Sequence, residues 1–350
     1  MKVRTLLVDS SYLLERSFNG ARETYTSEFG HIGGLYSFLT TIRMLIKKHM
    51  INKVVLVWDG ENGGFQRHQI DRAYKANRKN KSWHEKIMLT EIELKREKEK
   101  EESLLKQRKR IQSYAEELFL RQIEVDEVEG DDLIAAYCIE YNNKEEIFLF
   151  TNDRDFVQLL DLNITIIFGN IEMPVTKKNF FHHFNYYYEN GLTMKIICGD
   201  VSDNIKGIPG VKEKTLLKYF PELKFKKLTV KEICKRADEI NKNRIAEKKK
   251  PLKALENLLN GIDRLKMNYK LINLKEPILN EQAIEELEQL GMPLSPEGRG
   301  SKNLIKLMNE DGFLSVYNST FVNYVEPFYS VIMNEKHLLK EYYKKHKNKT

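Results

Sequence analysis

The stretch Val128-Glu129-Gly130-Asp131-Asp132-Leu133-Ile134-Ala135-Ala136-Tyr137-Cys138 is followed shortly by Ile147-Phe148-Leu149-Phe150. Directly after that come Thr151-Asn152-Asp153-Arg154-Asp155-Phe156-Val157-Gln158-Leu159-Leu160. Leu133, Ile134, Ala136 and Tyr137 recur at helical spacing, so Glu129, Asp131 and Asp132 stand at the start of an amphipathic helix. Ile147 to Phe150 has the length and composition of a buried strand, so Asp153 and Asp155 follow its end. Five carboxylates thus gather in one β-α-β-α passage. In an open parallel sheet such turns lie at the carboxyl ends of the strands, where ligands bind. One acid at such a position is a helix N-cap. Capping needs one acid per helix, not two or three. Like charges at this density repel unless a cation lies between them, and all-oxygen ligation suits Mg²⁺ or Mn²⁺.

Working outward, the same pattern recurs. Thr5 to Val8 reads as a buried strand that ends at Asp9. Lys53 to Trp58 reads as another that ends at Asp59, with a helix at Gly33 to His49 between them. Aspartate is common in turns, but three apolar strands each followed by an aspartate form a pattern. Ile123 to Val125 reads as a short strand, and Ile164 to Phe168 with Ile171 to Val175 as a hairpin about Gly169-Asn170. Alternating strands and helices up to about residue 185 predict an α/β fold with a mostly parallel central sheet flanked by helices.

After Asp59 a glycine-containing turn leads into Arg67, Arg72, Tyr74, Lys75 and Arg78. A basic segment with an aromatic suits phosphate contacts with stacking on base or sugar. Residues 79–121 then run rich in Lys, Arg and Glu without Gly or Pro, which favours a long exposed helix or helical hairpin. From Glu91 to Glu102 apolar anchors are almost absent, so that portion has nothing to pack on a core. Further on, Asp200 and Asp203 precede the tight turn Gly207-Ile208-Pro209-Gly210-Val211, which opens a basic helix carrying Lys212 and Lys214. Backbone N–H groups at such a turn and helix start can cradle a phosphate. The remainder is helical and basic.

Composition bounds the rest. A chain of 350 residues is long enough for two domains, and its net charge of +7 permits an anionic partner. Cys138, Cys198 and Cys234 are scattered with no CxxC pairing, so neither a zinc site nor a disulfide framework is indicated, which fits a reducing compartment. No run approaches a membrane span, the N-terminal apolar run is too short for a signal peptide, and no P-loop supports nucleotide hydrolysis. The expectation is a soluble intracellular protein.

The ordered set Asp9, Asp59, Tyr74-Lys75-x-x-Arg78, Glu129-x-Asp131-Asp132, Thr151-Asn-Asp153-x-Asp155 and Gly199-Asp200-x-x-Asp203-Asn204-Ile-x-Gly207-x-Pro-Gly210-Val211 resembles the flap endonuclease/5′-nuclease family. It is most similar to the bacteriophage ribonuclease H-type 5′-to-3′ exonucleases, over roughly residues 3–220. The resemblance implies a PIN-like nuclease domain at 1–190 with a helical arch at about 79–121. It also implies a helical C-terminal domain at 191–350, with a helix-hairpin-helix-type motif at about 200–220. It assigns Asp9, Asp59, Glu129 and Asp131 to a first metal and Asp153, Asp155, Asp200 and Asp203 to a second, with Asp132 supporting both. Lys75 and Arg78 would face the scissile phosphate from the base of the arch. Arg67, Arg72, Tyr74, Gly207, Gly210, Val211, Lys212 and Lys214 would contact DNA.

The implied cofactors are two Mg²⁺ ions, replaceable by Mn²⁺, and a monovalent cation at the 207–211 hairpin. The implied substrates are duplex DNA with a 5′ flap or nick and DNA/RNA hybrid, consistent with primer removal in replication. Implied partners are a single-strand-binding protein or sliding clamp. The protein would be monomeric and cytoplasmic, in the host cell if phage-encoded. Two rivals stand beside this reading. A PIN-type ribonuclease would have a smaller acidic set and neither the long arm nor the glycine hairpin. A DNA-binding module that has lost catalysis would lack some of the acids, and none is missing.

Overall fold

The computed structural model describes residues 2–21, 26–27, 30–76, 90–313 and 320–347. Five strands form one sheet: β1 (Arg4–Asp9), β2 (Lys53–Asp59), β3 (Arg121–Val125), β4 (Glu146–Thr151) and β5 (Thr165–Phe168). Their spatial order is β3-β2-β1-β4-β5, and every neighbouring pair is parallel. The chain steps outward from β1 through β2 to β3, then returns to lay β4 on the other side of β1. The topological switch point therefore lies between β1 and β4, and ligands of such sheets bind outside the carboxyl ends there.

Side chains alternate across the strands and split the core into two layers. Leu7, Val55, Val57, Ile123 and Leu149 face a layer built with α5 (Gly130–Tyr141) and with C-terminal residues such as Leu255, Leu258 and Leu287. Leu6, Val8, Leu56, Trp58 and Phe150 face the other layer, built with α1 (Ser10–Gly20) and α2 (Gly33–His49). Leu304, Met308, Phe313, Tyr324 and Phe328 join that second layer. Apolar packing thus runs across residue 190 on both faces of the sheet.

The expected hairpin after β4 is reduced. β5 is a strand, but its return arm makes a single antiparallel bridge, Ile166 with Val175. Pro174, which has no N–H to donate, sits next to that bridge.

The charged segment contains one long helix, α4 (Glu91–Glu117), started by a capping box of Thr90 and Glu93. Its first turns, Glu91 to Glu102, are exposed throughout. Its second half differs from a free arm. Gln107, Ile111, Tyr114 and Ala115 are buried against the sheet layer, and Arg110 pairs with Glu310 and Asp311 at 2.7 Å each. The apolar residues Leu104, Ile111, Tyr114 and Ala115 return at helical spacing and supply the packing face that residues 91–102 lack.

Beyond β5 the described chain is helical apart from the short ribbon Gly199–Asp200 with Ile205–Lys206. The elements used below are α3 (Phe65–Ile70), α6 (Gly191–Cys198), α7 (Glu213–Tyr219), α8 (Val230–Ala246), α9 (Lys253–Asn260) and α10 (Ile262–Ile272). Among the described residues no helix is long and apolar enough to cross a membrane.

Candidate active site: a carboxylate crescent at the switch point

Asp9 ends β1 and caps α1, accepting from Tyr12 N–H at 3.1 Å, while its other oxygen accepts from Thr151 Oγ1 at 2.9 Å. Thr151 closes the neighbouring strand β4 and also accepts from Asp153 N–H at 3.1 Å. One threonine hydroxyl therefore ties the ends of β1 and β4 across the switch point. Asp59 ends β2, and its Oδ1 accepts from Gly130 N–H at 3.0 Å at the start of α5. A Cβ at Gly130 would stand 2.8 Å from that oxygen, so only glycine lets the helix start approach the aspartate.

Asp131 lies close enough to Asp153, Asp9 and Glu129 to feel their charges. Burial first, and then those neighbours, push its carboxyl well above the usual range. Burial, with Asp59 and Asp153, likewise raises Asp9 to about 6, against the hydrogen bonds from Tyr12 and Thr151. Burial would also raise Glu129, but Lys75 and Arg67 hold it below the ordinary range. Lys75 Nζ donates to Glu129 Oε1 at 2.7 Å from a left-handed backbone conformation, φ 52°. Its own N–H donates to Asp203 O at 2.9 Å, which docks the segment before the arm onto the segment before the glycine hairpin. Asn204 Nδ2 repeats that link by donating to Ala73 O at 2.7 Å.

A second group gathers at the edge of the crescent. Asp155 is raised to about 7 by burial and by Asp153, opposed by Lys195. Lys195, on α6, bridges Asp155 and Asp200 with an ion pair to each. Burial would raise Asp200, yet Lys195 and Ser202 hold it below the ordinary range. The sequence reading did not single out Lys195, and it named Thr151 only as part of a motif, with no role. The signal for Lys195 was a lone lysine in the apolar helix Gly191-Leu-Thr-Met-Lys-Ile-Ile-Cys198.

Several expected site residues face elsewhere. Asp132 is 1% exposed, and its oxygens are taken by Arg67 Nη1 and Nη2 and by Ile278 N–H at 3.0 Å. Both oxygens are therefore engaged, and the same Arg67 guanidinium stands 3.1 Å from Glu129 of the crescent. Successive helical residues differ by roughly 100° in direction, so Asp131 and Asp132 leave the helix start on different faces. Arg67, expected at DNA, is 4% exposed and also donates to Leu271 O at 2.9 Å. Tyr74, expected to stack on nucleic acid, is 3% exposed and donates to Glu129 at 2.9 Å.

Val211 is buried in the core, and Gly207 is pressed against the Cys198 carbonyl, which a Cβ would approach to 2.1 Å. Gly210, with φ +77°, is open to solvent, as are Lys212, Lys214 and Arg72. Asp153 is exposed, and Asp203 accepts from Tyr74 Oη at 3.4 Å. Arg78 lies outside the described residues, as does the start of the arch at 79–89.

Among the described residues no three acidic, histidine or cysteine side chains stand together as a finished metal cage. The donor chemistry nonetheless fits a hard divalent cation. The crescent offers only oxygens, and burial and mutual repulsion leave Asp9 and Asp131 short of positive charge. Lys75 and Lys195 stand as the counter-ions at its edge, paired with Glu129 and Asp155.

A parallel sheet that gathers acids at its switch point, beside a lysine-bearing turn and a glycine hairpin, has the chemistry of a phosphate-handling enzyme with a divalent cation. The chain belongs to the family described as 5′-3′ exonuclease, N-terminal resolvase-like domain, whose model matches residues 4–185. It is 27% identical over 299 residues to a 5′-3′ exonuclease of Mycoplasmopsis pulmonis, covering 81% of this chain and 89% of that one. It is 29% identical over 223 residues to a 5′-3′ exonuclease of Halalkalibacterium halodurans, covering 61% and 67%. The fold matches the crystal structure of bacteriophage T5 D15 protein co-crystallised with metal ions, with TM-score 0.60 and 20% identity. That match covers 87% of this chain and 99% of the T5 protein.

Proposed function

We propose that this chain is a structure-specific 5′ nuclease that hydrolyses phosphodiester bonds in duplex DNA bearing a 5′ flap or nick, and in DNA/RNA hybrid, during replication. The observation that carries this reading is the convergence of Asp9, Asp59, Glu129, Asp131 and Asp153 on the switch point, with the Lys75 ammonium at its edge. Asp9, Asp59, Glu129 and Asp131 would hold a first Mg²⁺ or Mn²⁺, directly or through water. Asp153, Asp155, Asp200 and Asp203 would hold a second. When bound, such ions activate water and stabilise the leaving oxygen of an in-line displacement.

The chain's own groups do the rest. Thr151 fixes the orientation of Asp9, and Gly130 N–H fixes that of Asp59. Lys75 and Arg78 would steady charge developing on the phosphate, the kind of electrostatic contribution that is usually largest in catalysis. Burial first opposes the charge on Lys75. Glu129, Asp203 and Asp131 more than offset this and hold its pKa above the ordinary range, so it is a stable cation at neutral pH. Gly210, Lys212 and Lys214 form the exposed hairpin face that would grip duplex phosphates, with a monovalent cation at its carbonyls. The protein would act as a cytoplasmic monomer alongside a single-strand-binding protein or sliding clamp.

The deciding experiment measures Mg²⁺-dependent cutting of a 5′-flapped duplex beside a linear single-stranded RNA. Preferential cleavage at the flap junction is expected. Preference for the RNA would instead favour a PIN-type ribonuclease.

A further inference from the structure

A cavity of about 710 Å³ opens where α6, the first turn of α8 and α10 meet, and none of its lining residues belongs to the carboxylate crescent. Its floor is Ile196, Val230, Cys234, Ile262, Leu265 and Tyr269. Lys231, Lys266 and Lys270 stand at its rim, all exposed. On α10 the lining residues Ile262, Leu265, Lys266, Tyr269 and Lys270 fall at i, i+3, i+4, i+7 and i+8, which is one face of the helix. That face is only partly used by the core. Leu265 is buried, whereas Ile262 is 49% and Tyr269 38% exposed.

The charge at the rim is mainly positive, three lysines against the single lining acid Glu276. Lys231 and Lys270 make no ion pair among the described residues, and Lys266 reaches Asp263 only at 4.0 Å. The one acid in the lining, Glu276, accepts from Tyr269 Oη at 2.6 Å. The opposite side of α10 is anchored: Asn268 donates to Ile196 O at 2.8 Å and to Lys206 O at 3.0 Å. The groove therefore has a rigid wall, an apolar floor and a cationic edge.

We propose that this groove docks a short acidic peptide segment of a partner protein, one apolar or aromatic anchor filling the floor while flanking carboxylates meet Lys231, Lys266 and Lys270. The volume suits about three or four residues, within the usual range of specific small-ligand sites. Charge complementarity selects an acidic partner, and the apolar floor selects a peptide over a nucleic acid. Protein surfaces that meet DNA are polar, and a phosphate backbone gains nothing from Ile262 or Leu265. Rim charges of this kind set partner choice and association rate, and the anchor supplies the affinity.

The probe is a fluorescein-labelled peptide with a Leu-Phe pair between two aspartates on each side, titrated with the full chain and read by anisotropy. Saturable binding is expected. It should weaken at least tenfold when alanines replace the Leu-Phe pair, and at least tenfold in the variant Lys266→Glu/Lys270→Glu. These positions are exposed on a helix, and a thermal melt confirms that the variant folds. Its flap cleavage should stay within twofold of wild type. The proposal is overturned by absent peptide binding to wild type, or by undiminished binding to the double variant. It is also overturned if the double variant loses affinity for flapped duplex, because the groove edge would then be a DNA contact.

Discussion

Arg67 grips Asp132 with both terminal guanidinium nitrogens, joining the helix after β2 to the start of α5 in a pair that is almost fully buried. The pairing turns the arginine inward, away from the surface where DNA contact was expected, and occupies both oxygens of the aspartate. It also holds Glu129, which approaches the same guanidinium at 3.1 Å, in place at the crescent. Removing one partner leaves a buried charge, so Arg67→Ala or Asp132→Ala should cost about 3–5 kcal/mol in urea unfolding. Asp132→Ala with unchanged stability and lost cleavage would return Asp132 to the metal side.

Asp131→Asn and Asp153→Asn remove charge from the centre of the crescent without changing size. Cleavage in Mg²⁺ should fall by at least about a hundredfold. Binding of flapped DNA in Ca²⁺ should hold or tighten, since a repelling charge has gone. Single-turnover assays decide it, and near-normal cutting by either variant would remove that carboxylate from the chemistry.

The raised value of about 6 for Asp9, against 3.8 in an unfolded chain, makes a linked prediction about stability. Between those values the folded protein binds more protons than the unfolded one, so this group's contribution falls as pH rises. The loss begins near the unfolded value and is complete above about pH 6. In chelator, Asp9→Asn should therefore gain about 3 kcal/mol over wild type at about pH 7.5 and little at about pH 4. Saturating Mg²⁺ should abolish the gain. A difference that does not change with pH would mean that neither burial nor its acidic neighbours penalise the charge on Asp9 in the folded state.

The two halves of α4 should respond differently to replacement. A Gly-Ser linker in place of residues 91–100 removes only exposed turns, so the melting temperature should barely change while flap cleavage drops. Extending the replacement to residue 112 deletes Gln107, Ile111 and the Arg110 ion pairs. Losing the buried isoleucine alone should cost about 2–5 kcal/mol. If the shorter replacement cuts flaps at the wild-type rate, the exposed turns are a solvated extension without a part in substrate handling.

Lys212 and Lys214 are exposed beside Gly210 at the hairpin. The double variant Lys212→Ala/Lys214→Ala should flatten the dependence of log affinity on log salt by roughly 0.9 per lost phosphate contact. Duplex-containing substrates should weaken far more than single strands. Equal losses on both kinds of DNA would place the hairpin outside the duplex interface.

The sequence by itself determined the layers and the location of the acids. Short buried apolar strands are local patterns, and an aspartate after such a strand must lie at its carboxyl end. Asp9, Asp59 and Asp153 were legible for that reason, and so was the exposed start of α4, where apolar residues are scarce. What only the tertiary structure decided is which way each polar side chain turns. Asp131 and Asp132 are adjacent in sequence but roughly 100° apart around the helix, and only the packing of α3 decides that Arg67 engages Asp132. Arg67 and Tyr74 read as a surface because their partners, Leu271, Asp132, Glu129 and Asp203, lie 55 to 204 residues away. Lys195 reads as an ordinary helical lysine until the fold brings Asp155 beside Asp200. Charge at a site is a sum over contacts from distant parts of the chain, and no local window of sequence contains that sum.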